Sequence, residues 1–203
     1  YEDLETFKVS FNDVYRLKPH QLQLGFLKVL QGSEMEARAG EYSLLYTSLP
    51  PYEVLATKWM SYEDICLLKR IEEVLETYYN SGQFAHTLPL LHTYFDTPFA
   101  LYDALAAWHE THHLFDIQSS RIRKYEILLE FGTAQIRNSR KSSAFAQDMP
   151  DDGMNMLKES LTYDLYLREH IKNRPSFACS LEQRKQEIRD LLLKESQTHA
   201  YFP

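Results

Sequence analysis

Apolar residues recur at helical spacing over Leu4 to Leu17, where Leu4, Phe7, Phe11, Val14 and Tyr15 make one stripe that Pro19 ends. The pattern then changes. Over Gln21 to Leu30, alternation gives way to a near-continuous apolar run, which suits an interior parallel strand covered on both faces. Such a strand needs neighbours for its backbone groups. Gly32-Ser33 ends it, and Ser33 is placed to cap a short helix over Glu34 to Tyr42. Ser43 to Ser48 reads as extended, and Pro50-Pro51 should hold the chain in an extended conformation.

From Ser61 onward the signals are helical. Ser61 to Asp64 is a capping box, followed by a buried face of Ile65, Leu68, Ile71, Val74, Leu75 and Tyr78, with Asn80-Ser81-Gly82 as the stop. Thr97-Pro98 starts another helix, with Phe99, Leu101, Leu105, Trp108 and His112 along one side. A third begins near Ser119 or Ser120 and buries Ile122, Tyr125, Leu128, Leu129 and Phe131, Gly132 weakening its end. Asn138 to Gly153 reads as the main internal loop. Two further helices carry Met154, Leu157, Leu161 and Leu165, and then Leu181, Ile188, Leu191 and Leu192, with a second capping box at Ser180 to Gln183. The expected fold is mainly α: an α/β remnant over residues 1–55, with one buried strand and an extended segment, then a bundle of about five or six helices over residues 56–203.

Composition narrows the function classes. A formal net charge of -7 disfavours a nucleic-acid surface, which needs a concentrated basic field. The densest basic run, Arg137 to Lys141, lies in a Ser-rich stretch and reads as a solvated linker. No apolar run approaches the ~20 residues that cross a bilayer. Cys66 and Cys179 are single and far apart, which fits a reducing cytoplasm, and Cys66 should be a small buried apolar residue. The chain opens in mid-helix with YEDLETF and no Met, as a piece of a longer polypeptide would.

The sharpest local motif is His109-Glu110-Thr111-His112-His113, which satisfies H-E-x-x-H. On one helix face His109 and His113 would ligate zinc, Glu110 would polarise a bound water, and Glu126 or Glu130 would be the third ligand. That makes a zinc-dependent hydrolase one alternative. The competing reading is a solvated helix end with protonated imidazoles near the negative dipole pole. Glu72, Glu73 and Glu76 read as a solvated helix face, and Asp164 with Arg168 as an i,i+4 ion pair. No residue stands out as catalytic.

GFLKVLQGSEM at residues 25–35, the run Pro50-Pro51-Tyr52-Glu53-Val54-Leu55, Trp59, Ser61-Tyr62-Glu63 and YDLYL at Tyr163 to Leu167 carry a resemblance. Together they resemble the C-terminal region, a domain of unknown function (family 4080), of radical S-adenosylmethionine proteins that contain a cobalamin-binding domain. The resemblance implies a parent enzyme with a cobalamin domain and a radical barrel upstream in the same chain. It implies a four-iron four-sulfur cluster, S-adenosylmethionine and cobalamin in that parent. The C-x-x-x-C-x-x-C cluster loop is absent here, so this region is expected to be a non-catalytic accessory module without cofactors of its own. It would close the barrel and shape substrate access or a partner interface, with Val29, Leu30, Gln31 and Gly32 near the adenosine. A structural or dimerisation module is the third reading.

Overall fold

The computed structural model describes residues 2–142, 152–169, 174–178 and positions 186, 187, 189, 190, 193 and 194. Among them the chain is mainly α with a small α/β remnant, as the periodicities predict, but the remnant's sheet is a two-stranded pair after the segment expected to hold the strand. Helix α1 spans Leu4–Arg16 and opens on a capping box between Asp3 and Thr6. Helix α2 is one turn, Glu34–Ala37, capped by Ser33 but shorter than its expected reach to Tyr42. Strands β1 (Leu45–Tyr46) and β2 (Val54–Ala56) pair antiparallel. Pro50-Pro51 does not extend the chain. Its peptide is cis and lies in the turn between the two strands, where the Tyr52 N–H donates to Leu49 O at 3.0 Å.

Helix α3, Tyr62–Leu75, starts on the predicted box: Asp64 N–H donates to Ser61 Oγ at 3.1 Å, and Ser61 N–H to Asp64 Oδ2 at 2.9 Å. A π-helical turn, Glu76–Asn80, prolongs it, and Gly82 ends it at φ 64°, where a side chain would be strained. Ile65, Leu68, Ile71, Val74, Leu75 and Tyr78 are all buried, as their spacing requires. Helix α4 (Thr87–His92) was not predicted; α5 covers Pro98–Thr111. Helix α6 runs from Arg121 to Ser142, well into the expected loop, and α7 from Asp152 to Arg168. The last predicted helix, its capping box and Cys179 lie outside the continuous described residues.

The core is continuous across these helices. Helix α3 packs on α5, α1 on α5, and α7 on both α4 and α6. Phe11 of α1 and Leu22 lie in the same cluster as Ile71, Leu105, Phe131 and Leu161, so the core crosses residue 55. Gly132 has a different role from the one its sequence position suggests. It sits inside α6, and a Cβ there would lie 2.7 Å from Leu157 Cδ2 and 3.0 Å from Leu91 Cδ2. Its missing side chain lets α6 approach α4 and α7 closely.

Asp164 also departs from its expected role. It is 1% exposed and makes no ion pair with Arg168 among the described residues. Its carboxylate instead accepts from Thr87 N–H at 2.9 Å, Thr87 Oγ1 at 2.7 Å, His86 N–H at 3.0 Å and the His86 imidazole at 2.7 Å. A charge on α7 thus caps the start of α4, where orphan amides and the helix dipole favour an anion.

Two outcomes follow for stability. Asp164→Ala should cost about 3 kcal/mol in denaturant unfolding, since buried amides and a hydroxyl lose their acceptor. Gly132→Ala should destabilise by about 1 kcal/mol on the same measurement, because overpacking between Leu91 and Leu157 outweighs the gain in helix propensity.

Candidate functional site

The region with concave surface and unsatisfied backbone is the segment over residues 21–32, where it crosses α3. Its ends are fixed. Leu22 N–H donates to Asn80 Oδ1 at 2.8 Å, and Asn80 Nδ2 returns a bond to Leu22 O at 3.0 Å. Further on, Val29 N–H donates to Tyr52 O at 2.8 Å and Val54 N–H to Leu27 O at 3.0 Å, placing Lys28 opposite Glu53 as a third antiparallel rung beside β2. Between these anchors, the backbone groups of residues 23–26 make no hydrogen bond among the described residues.

Residues 21–30 are non-helical but do not form the predicted strand buried on both faces: the one ladder contact is the bridge at Lys28, and residues 31–32 turn away. Leu22 and Val29 are buried and Leu24 and Phe26 pack on the core, whereas Leu27 and Leu30 are 45% and 59% exposed. Helices cover one face only, so the apolar run serves one buried side and one open side.

A cavity of about 380 Å³ lies beside the segment. Leu24 to Leu27 form one wall; Trp59, Met60, Met35 and Tyr42 form much of the rest. The Tyr42 and Trp59 rings lie 5.9 Å apart. Helix α3 supplies Ile65 and Leu68 at the base. Thr57 holds the corner: its Oγ1 accepts from both Trp59 and Met60 N–H, turning those side chains inward from a stretch without helical periodicity. Such an aromatic- and thioether-lined cavity suits apolar ligands or side chains.

On another side of the same segment is a recess of about 740 Å³, lined by Leu22, Gln23, Glu53, Lys69, Glu72 and Glu76 among others. Lys69 pairs with Glu53 and lies 5.6 Å from the Phe26 ring centre. Glu72 is therefore not a freely solvated surface group. Partial burial, with Glu53 and Glu76 nearby, pushes its carboxyl above the usual range. Burial does the same for Glu73, with a smaller push from Asp116.

The four residues expected near an adenosine take separate positions. Val29 is 1% exposed and bound to the hairpin, while Leu30 and Gln31 face solvent. Gly32 adopts φ 75°, and its N–H donates to Glu36 Oε2 at 2.7 Å. The wall of the cavity is formed instead by Leu24 to Leu27, which Lys28 separates from them.

The two histidines of H-E-x-x-H are not brought together on a helix face. Helix α5 ends at Thr111, and His113 lies beyond it at φ 53°. His109 is buried, with Nδ1 at 2.9 Å from Leu105 O and Nε2 at 3.0 Å from the Tyr78 hydroxyl. Both ring nitrogens are thus engaged, and burial holds the imidazole pKa below its ordinary value. Glu110 pairs with Arg70, and Glu126 and Glu130 with Arg123. Among the described residues no three His, Cys, Asp or Glu side chains are grouped to hold a metal. Cys66 is half-buried rather than fully enclosed.

A family model described as "Protein of unknown function (DUF4080)" matches residues 40–203. The chain belongs to this family. Neither a curated protein nor a solved structure matches it. In this DUF4080 chain the match takes in the hairpin, the Trp59 corner and every helix from α3 onward, and begins after the segment that forms the cavity's other wall. No helix among the described residues is long and apolar enough to cross a membrane.

A pH dependence follows from the buried imidazoles. Burial depresses His109 and holds His92 at about 4, so the folded state binds these protons less readily than the unfolded chain does. The stability they contribute is complete above about 6.5 and is lost as pH falls below it, the His92 part by about 4. Denaturant midpoints should therefore drop between pH 7 and pH 5, and His92→Gln should flatten that drop.

Proposed function

We propose that this DUF4080 chain is a non-catalytic accessory region of a cobalamin-dependent radical S-adenosylmethionine enzyme, and that its segment 21–32 abuts the barrel of that enzyme. The unpaired backbone of residues 23–26 carries the reading. An extended stretch anchored at both ends, with free peptide groups between, is what remains of a strand whose neighbour comes from another part of the polypeptide. The adjoining apolar cavity supports it, since an added strand could place side chains there. Leu30, Gln31 and the positive φ of Gly32 support a backbone approach to a cofactor's adenosine.

The iron–sulfur cluster itself would belong to the upstream barrel. Iron–sulfur clusters are held by sets of thiolates, and the described part of this chain presents only the half-buried Cys66 on α3. These residues do not fit the cluster, so none of its chemistry is assigned to them.

The test is hydrogen exchange on the full-length protein. The amides of Gln23 to Phe26 should be protected roughly 100-fold or more over unpaired amides. Iron–sulfur absorption and reductive cleavage of S-adenosylmethionine should accompany that protection. Free exchange at those four amides, or a full-length protein that binds neither cluster nor cofactor, overturns the reading.

A further inference from the structure

Away from the segment, α1, α4 and α5 meet in a chain of polar ring groups. Tyr102 is fully buried, and its hydroxyl lies 3.2 Å from that of Tyr15. The Tyr15 hydroxyl lies 2.8 Å from His92 Nε2. Among the described residues Tyr15 is the partner of the Tyr102 hydroxyl, so Tyr102 donates to it, and with His92 as its Nδ1–H tautomer Tyr15 donates its own proton to Nε2. The Tyr15 ring centre is 4.9 Å from Tyr79, 5.0 Å from His92 and 5.6 Å from Tyr102. Tyr15 and His92 also line a surface recess of about 340 Å³, together with Arg16, Lys18, Phe95 and Pro98.

We propose that Tyr15 is a redox-active tyrosine: an outer-sphere one-electron oxidant takes an electron from its phenol while the phenolic proton crosses to His92 Nε2. The products are a neutral phenoxyl on Tyr15, an imidazolium on His92 and the oxidant reduced by one electron. No covalent bond other than O–H breaks, and the proton returns when the phenoxyl is re-reduced. Burial keeps His92 neutral, and therefore able to accept, down to about 4. It also holds Tyr15 protonated, with its pKa pushed up to about 12, so electron loss is coupled to proton transfer rather than preceded by it. Tyr102 remains as a donor to the phenoxyl oxygen. Tyr79 has no such base, because its hydroxyl donates to the Pro19 carbonyl. Among the described residues the other phenol–imidazole hydrogen bond, Tyr78 with His109, joins side chains more deeply buried, at 1% and 7% exposure, and its phenol receives no second hydrogen bond. The recess at Tyr15 gives the oxidant access and lets water solvate the imidazolium.

Flash-generated tris(bipyridine)ruthenium(III), with freeze-quenched electron paramagnetic resonance, tests the assignment on the full protein. The wild type should give a tyrosyl signal that Tyr15→Phe reduces at least fivefold and Tyr78→Phe leaves in place. His92→Leu should slow formation at least tenfold and abolish the slowing caused by D2O, with circular dichroism confirming that each variant is folded. An undiminished signal in Tyr15→Phe, loss of the signal in Tyr78→Phe instead, or an unchanged rate in His92→Leu overturns it. If Tyr15→Phe does not fold, the His92→Leu rate and the D2O effect decide alone.

Discussion

Helix α3 is the constraint on which the rest of the molecule depends. One face of it carries Ile65, Leu68, Ile71, Val74, Leu75 and Tyr78 into the core against α5, and its far end supplies Asn80. Asn80 offers a carbonyl and an amide to Leu22, as a neighbouring strand's peptide group would. The same helix thus organises the bundle and fixes an extended segment that has no sheet of its own. The cavity and the acidic recess open on different sides of that segment, and both rest on α3.

Much of this was legible because the relevant signals are local. The α3 capping box and apolar stripe, the Thr97 cap with Pro98 behind it, and the glycine stop at Gly82 each act within a few residues. Helix α4 was not legible for a physical reason. It has six residues, Pro89 among them, and its N-terminal residue lacks a side-chain cap of its own. Its cap is Asp164, which reaches it from 77 residues away. Gly132 was misread for a similar reason: what it touches, Leu91 and Leu157, is distant in sequence.

The candidate site divides along the same line. Residues 21–32 stood out because their pattern is unlike the helices that follow, but the pattern did not reveal that helices cover only one face. H-E-x-x-H was visible as letters. Its meaning depends on Tyr78, which occupies His109 Nε2, and on the helix stopping short of His113. Trp59 stood out only through the resemblance and Met60 not at all, because their stretch has no period and is held by Thr57 rather than by a helix. The Tyr15–His92 bond joins residues 77 apart, a distance that no motif spans.

The Asp164 contact has a further consequence, for the order of folding. A six-residue helix is too short to persist alone in water, because nucleation costs more than so few bonds return. Residues 87–92 therefore gain their helix only when α7 arrives with its carboxylate. During synthesis from the N-terminus, α1, α3 and α5 can collect around their shared core while this stretch stays unformed. The late helix α7 then acts as a clasp, ordering a segment made long before it.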